Sequence, residues 1–221
     1  MTARPWNGTG SSCKSMANNY EREAERARER FLTFDRDRLI AFHRLRHDES
    51  YMYLSYLNRE TRIGRGNGII ESRDDRGDFR PVGFNGVLTI YDYLCYSSSE
   101  AVKPVMSGTW ASVGELGGII GSYHDTSLRD AEEMHRLAGK TSELRRACEK
   151  LGGTPSGLKG DVSFILPVFE DLTVLFRYWD GDDEFPPDAR ILPDRNTLQL
   201  MHYETVWYMM IDIREHLFAD L

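Results

Sequence analysis

The densest group of side chains that could do chemistry lies in the acidic loop, which we define as residues 180–187. Four of its first five residues are carboxylates: Asp180, Asp182, Asp183 and Glu184. Like charges at this spacing raise one another's pKa or recruit a cation, and Ca²⁺ and Mg²⁺ prefer oxygen ligands. The spacing lacks the bidentate glutamate of a calcium loop. The alternative is a solvated Asp-Gly turn, with the segment Phe185-Pro-Pro187 packed back onto the sheet.

An enzyme hypothesis uses the same loop. Asp182 or Glu184 would act as a general base with a raised pKa, and His202 would act as the acid. The sequence contains no Ser-His-Asp order, no H-E-x-x-H motif and no phosphate-binding loop. The residues therefore leave the reaction class open.

A second hypothesis is a small-molecule or cofactor site with aromatic walls. The candidate ligand-binding residues are Trp110, Arg177, Trp179, Asp182, Asp183, Glu184, Phe185, His202 and Tyr203. Aromatic walls with a few polar groups are typical of such pockets. The alternative is that these aromatic side chains belong to the core, in which case Trp179→Ala would cost roughly 3–5 kcal/mol. The residues identify no particular cofactor or metal.

Charge limits the kinds of partner. The 221 residues carry 28 basic and 35 acidic side chains, for a net charge of −7. This balance argues against nucleic acid and against anionic membranes as partners. An acidic surface would instead suit docking to a basic site on a redox or methyl-transfer enzyme, which is a third hypothesis.

Cysteine usage and hydropathy predict the compartment. Cys13, Cys95 and Cys148 are widely spaced, with no C-x-x-C pair, which argues against a disulfide framework or an iron–sulfur site. No apolar run reaches the length of a membrane span, and the first fifteen residues lack a signal-peptide core. We expect a reducing cytoplasm.

Two apolar segments must position the acidic loop. Residues 161–169 and 172–179 have strand composition, and Glu170 with Asp171 forms a short connection between them. Pro167 belongs at a strand end or a bulge because it cannot donate to a ladder. Both faces of the second strand are largely apolar, which predicts a central strand that is covered on both sides.

The whole pattern predicts a flexible tail at residues 1–17 and a single α+β domain at 18–221. One mainly antiparallel sheet would contain the 50–72 meander and the 161–192 strands, with a polar connection at 73–83. Helices are predicted at 19–33, 35–44, 86–97, 127–151 and 203–219. The predicted helix caps are Asn18 or Asn19, Ser127, Thr141 and the pair Gly152 and Gly153.

Five short motifs carry a family resemblance. They are Gly108–Trp110, Gly152–Gly153, Leu166–Val168, Trp179–Pro187 and His202–Tyr203. Over most of residues 18–221 the chain resembles domain-of-unknown-function family 3786. The resemblance implies an anaerobic bacterium or archaeon and a link to redox or one-carbon metabolism of the corrinoid type. Some relatives add an iron–sulfur domain, which these three cysteines cannot supply. The resemblance implies no established activity and no catalytic residues.

Overall fold

The computed structural model describes residues 11–100, 102–117, 131–219 and 221. The fold is α+β, as predicted, with helices around two antiparallel sheets. The helices are α1 (Ser11–Thr33), α2 (Arg36–His43), α3 (Phe84–Tyr96), α4 (Val113–Leu116), α5 (Ala131–Leu137), α6 (Thr141–Lys150) and α7 (Tyr203–Phe218). The strands are β1 (Arg46–His47), β2 (Tyr51–Tyr56), β3 (Arg59–Gly64), β4 (Ile70–Arg73), β5 (Phe79–Pro81), β6 (Thr154–Pro155), β7 (Val162–Phe169), β8 (Leu172–Trp179) and β9 (Asp188–Pro193).

The first sheet is the predicted meander, in the order β1-β2-β3-β4-β5. Its β2–β3 turn consists of Leu57 and Asn58, which have φ values of 48° and 61°. Positive φ at both positions is what a type I′ two-residue hairpin turn requires. The prediction of a purely polar connection at residues 73–83 is wrong, because Phe79–Pro81 pairs with β4.

The second sheet has the order β6-β7-β8-β9. The hairpin between β7 and β8 is confirmed, and its register shifts between Pro167 and Phe169, as expected for a proline within a ladder. The prediction of one joint sheet is wrong, since the strands form two. They are linked where the Leu57 backbone N–H donates to the Val168 carbonyl at 3.0 Å.

The central position of β8 is confirmed, but only one of its faces is fully covered. The core face is completely buried and consists of Leu172, Val174, Phe176 and Tyr178. On the other face Leu175 is buried, whereas Arg177 and Trp179 are half-buried. The prediction of cover on both sides is therefore wrong toward the C-terminal end of the strand. That partly open end adjoins the acidic loop.

Helix ends differ from the predicted caps in two places. Helix α1 begins at Ser11, so neither Asn18 nor Asn19 caps it, while its predicted end at Thr33 is confirmed. Helix α6 has Lys140 as its N-cap residue in place of Thr141. The predicted cap Ser127 lies outside the described residues.

The predicted glycine stop after α6 is confirmed. Gly152 has a φ of +74°, and its N–H donates to the Glu149 carbonyl at 2.9 Å. The Gly153 N–H donates to the Cys148 carbonyl at 2.8 Å. This pair of bonds is a Schellman motif, which satisfies carbonyl groups that the helix itself leaves open.

One contiguous apolar cluster joins the two sheets and the helices. Its fully buried members include Phe31 of α1, Leu94 of α3, Phe176 of β8 and Ile213 of α7. Within the described residues, every helix is too short or too polar to cross a membrane.

Candidate functional site

A cavity of about 840 Å³ lies at the C-terminal end of β8, and we call it the Trp179 cavity. It brings together four of the predicted ligand-binding residues: Arg177, Trp179, Asp182 and Phe185. Met134 and His135 of α5 and Arg190 of β9 complete much of the lining. The alternation of side chains along β8 places Arg177 and Trp179 on the same open face.

Two guanidinium groups flank the Trp179 ring. The Cζ atoms of Arg177 and Arg190 lie 4.5 Å and 5.5 Å from the ring centroid, within cation–π range. The two arginines are directly opposite in the β8–β9 register, where like charges destabilise a sheet. Arg190 forms an ion pair with Asp188 at 3.0 Å.

Arg177 lacks such a partner. Its Nε donates to the Lys159 carbonyl at 2.8 Å, and among the described residues no carboxylate lies within ion-pair distance of its guanidinium. Arg177 therefore brings to the Trp179 ring a guanidinium group without an ion-pair partner among the described residues.

The acidic loop is held as a turn. One carboxylate oxygen of Asp182 accepts the N–H groups of Glu184 and Phe185, both at 2.8 Å. These bonds lower the pKa of Asp182, so the raised pKa predicted for this one of the two candidate bases is wrong. The Asp180 carboxylate accepts from the Gly139 N–H at 3.0 Å and from the Tyr178 hydroxyl at 2.9 Å.

The acidic loop had two interpretations, a solvated turn and an ion site. The solvated-turn interpretation holds for Asp183 and Glu184, which are exposed and do not line the cavity. The predicted packing of Phe185-Pro-Pro187 is wrong for Phe185, which is 67% exposed, whereas Pro187 is buried. Across the described ranges, no group of three or more His, Cys, Asp or Glu side chains is placed to hold a metal ion.

The other three predicted residues do not line the Trp179 cavity. His202 is the N-cap residue of α7. Its Nδ1 lies 2.7 Å from Asp92 Oδ1, and its backbone N–H donates to Asp92 Oδ2 at 2.8 Å. The Tyr203 hydroxyl is buried and has no hydrogen-bond partner within the described ranges. Trp110 forms an isolated backbone bridge with Asp194.

Asp194 is a fully buried carboxylate that ties two segments together. It accepts the backbone N–H groups of Ser107 at 2.9 Å, Gly108 at 2.7 Å and Asn196 at 2.8 Å. The Ser107 hydroxyl adds a bond at 3.0 Å. With four donors around it the carboxylate is satisfied, so its role is structural.

A larger cavity, of about 1100 Å³, lies at the opposite end of β8, and we call it the His43 cavity. It contains a polar cluster in which Lys103 pairs with Asp171 at 2.5 Å and donates to the Tyr93 hydroxyl at 2.8 Å. The Tyr93 hydroxyl donates to the other Asp171 oxygen. The Tyr93 ring stacks on Phe169 at 3.7 Å with an interplanar angle of 5°.

His43 lines this cavity with a side chain that is 5% exposed. Its Nε2 lies 3.0 Å from the Leu94 carbonyl oxygen and therefore carries the proton, because a carbonyl only accepts. Its Nδ1 is then a buried acceptor, and it has no partner among the residues described. Leaving such an atom unsatisfied costs about 1–3 kcal/mol.

Comparison with known proteins gives one result. The family model DUF3786, a domain of unknown function, matches residues 38–213. The chain belongs to this family. Neither the curated proteins nor the solved structures contain a match. The DUF3786 region runs from α2 into α7, and both cavities lie inside it.

Sequence reasoning missed the polar cluster of this DUF3786 chain. Tyr93 sits in the apolar pattern of α3, and Lys103 lies in a stretch without periodicity. Asp171 gives the only usable signal, because it is a charged residue between two hydrophobic strands. The same position is typical of a plain hairpin connection, which is why its role is not visible in the sequence.

We expect the DUF3786 domain to lose stability in acid through His43. Burial, and then the Lys103 ammonium group, lower the pKa of His43 from 6.5 to about 4. The folded state therefore resists protonation, and stability that is complete above pH 6.5 falls as the pH approaches 4. The free energy of unfolding should be about 2–3 kcal/mol lower at pH 4.5 than at pH 7. Urea denaturation at pH 7 and pH 4.5 measures it, and His43→Gln should show a smaller difference.

Proposed function

We propose that the chain binds a small aromatic carboxylate in the Trp179 cavity. The observation that carries the proposal is Arg177, whose guanidinium lies against an aromatic ring and has no carboxylate partner among the described residues. Guanidinium groups recognise carboxylates through paired, charge-assisted hydrogen bonds. Trp179 and the exposed Phe185 offer apolar surface for the body of the ligand.

The charge balance of the cavity sets how such a ligand is held. The lining carboxylates are Asp161, Asp180, Asp182 and Asp188, and they outnumber the two guanidinium groups. Each accepts a hydrogen bond from the protein. The lining therefore gives an anion no long-range attraction, and selectivity arises from direct contact with Arg177. This predicts modest dependence of the affinity on salt.

We expect Arg177→Met to weaken binding of 2-naphthoate by about tenfold to a hundredfold, the value of a charge-assisted hydrogen bond. Titration followed by calorimetry and tryptophan fluorescence measures the change. Asp183→Asn is the matched control, because Asp183 belongs to the adjoining loop but does not line the cavity. Equal affinity for 2-naphthoate and for uncharged 2-naphthalenemethanol would contradict the proposal.

The wider biological setting is also part of the proposal. We place the chain in a reducing cytoplasm and in anaerobic redox or one-carbon metabolism of the corrinoid type. The metabolic link rests on the family resemblance, and docking to a redox or methyl-transfer enzyme rests on the net charge of −7. Burial raises the pKa of the Cys95 and Cys148 thiols to about 12, so both are poor nucleophiles.

Purification without oxygen, followed by native mass spectrometry and an ultraviolet–visible spectrum, tests this setting. A stoichiometric bound small molecule would name the chemistry. A colourless chain of the expected mass would count against a tightly held cofactor.

A second candidate function is general-base catalysis at His202. Asp92 holds the Nδ1 side of the imidazole, which leaves Nε2 to accept a proton, as in other Asp–His pairs. This arrangement favours His202 over the acidic loop as the catalytic group. Turnover of 4-nitrophenyl acetate tests it: His202→Asn and Asp92→Asn should both lose activity, whereas Asp182→Asn should keep it.

A further inference from the structure

The polar cluster of the His43 cavity has balanced charges. The Lys103 ammonium group and the Asp171 carboxylate face each other at 2.5 Å. Tyr93 fills the remaining position, since its hydroxyl donates to Asp171 and accepts from Lys103. An ionised ligand would therefore find no uncompensated charge within this cluster, and it would have to disrupt an existing ion pair to bind.

Two groups that line the His43 cavity have unused hydrogen-bonding capacity. An ammonium group has three donors, and Lys103 uses two of them on Asp171 and Tyr93. His43 Nδ1 is a buried acceptor with no partner in the described part of the chain. Both groups lie against one ring, because the His43 ring and Lys103 Nζ are 4.8 Å and 5.0 Å from the Tyr93 centroid.

We propose that the His43 cavity is a second ligand site, for a small neutral molecule that presents a primary amide or a hydroxyl group. Such a group donates to His43 Nδ1 and accepts from Lys103 Nζ. A carboxylate lacks the donor, and an ammonium group lacks the acceptor. The apolar part of the molecule packs against Leu54, Phe169 and Met106, which line the same cavity.

The two sites are separate. Asp171 precedes β8 and Trp179 ends it, so eight residues of extended chain place the sites roughly 25 Å apart. Neither site shares a lining residue with the other. The inference therefore does not depend on the aromatic carboxylate proposed for the Trp179 cavity.

Histidine nitrogen resonances of the full chain test the proposal directly. The probes are benzamide, benzyl alcohol, benzoate, benzylamine and toluene, which share one ring and differ in the polar group. We expect benzamide and benzyl alcohol to shift the unprotonated Nδ1 resonance of His43 in a saturable way. Absence of any such shift, or an equal shift with toluene, would overturn the proposal.

Variants then separate the sites. His43→Phe keeps an aromatic ring but removes the acceptor, and we expect it to weaken benzamide binding by about tenfold. Arg177→Met, at the other cavity, should leave benzamide binding unchanged. If both variants bind benzamide as tightly as the original chain, the assignment to His43 is wrong. Should His43→Phe fail to fold, the nitrogen spectrum of the original chain still decides the question.

Discussion

We expect Asp194→Ala to lower the free energy of unfolding by about 3–5 kcal/mol. The carboxylate is fully buried and accepts four hydrogen bonds, three of them from backbone N–H groups. Alanine removes the acceptor of all four hydrogen bonds at once, and with it the tie between Ser107, Gly108 and Asn196. For a chain of 221 residues this corresponds to a fall of roughly 10 °C in the melting temperature.

Urea denaturation and a thermal scan measure the effect. Asp194→Asn is the informative second variant. Its amide oxygen still accepts hydrogen bonds, but its NH₂ group faces donors. We therefore expect it to lose a substantial part of the unfolding free energy that Asp194→Ala loses. Asp183→Ala is the control, since Asp183 is exposed and should change stability by less than about 0.5 kcal/mol. A melting temperature for Asp194→Ala close to that of the control would show that the four bonds are not maintained in solution.

Local patterns explain which parts of the fold could be predicted. The β7–β8 hairpin, α3 and α7 were predicted because their apolar periodicity is strong and short in range. Strand β5 has three residues and little apolar character, so only its pairing with β4 makes it a strand. The link between the two sheets runs through Leu57, whose positive φ and hydrogen bond to Val168 leave no trace in local composition.

The candidate site could be predicted only for residues that lie close together in the sequence. Arg177, Trp179, Asp182 and Phe185 lie within nine consecutive positions, and the structure gathers them in one cavity. Arg190 was missed, because only the β8–β9 register places it opposite Arg177. His202 was assigned to the same site on residue type alone, whereas its partner is Asp92, 110 positions earlier.

The second large effect concerns the two faces of β8. We expect Phe176→Ala to cost about 3–5 kcal/mol, because the ring is completely buried and its removal leaves a cavity. Trp179→Ala should cost only about 1–2 kcal/mol, since the half-buried indole loses part of its packing and its contact with Arg177. The larger side chain therefore gives the smaller loss, the reverse of what size alone predicts.

Denaturation midpoints of the two variants, measured in the same buffer, decide between core and cavity for Trp179. A loss of 3–5 kcal/mol for Trp179→Ala would show that this ring belongs to the core and is not an apolar wall of the proposed site. A small loss combined with weaker binding of 2-naphthoate would separate the two roles of β8. Phe176 would then serve stability, and Trp179, three residues further along the strand, would serve recognition.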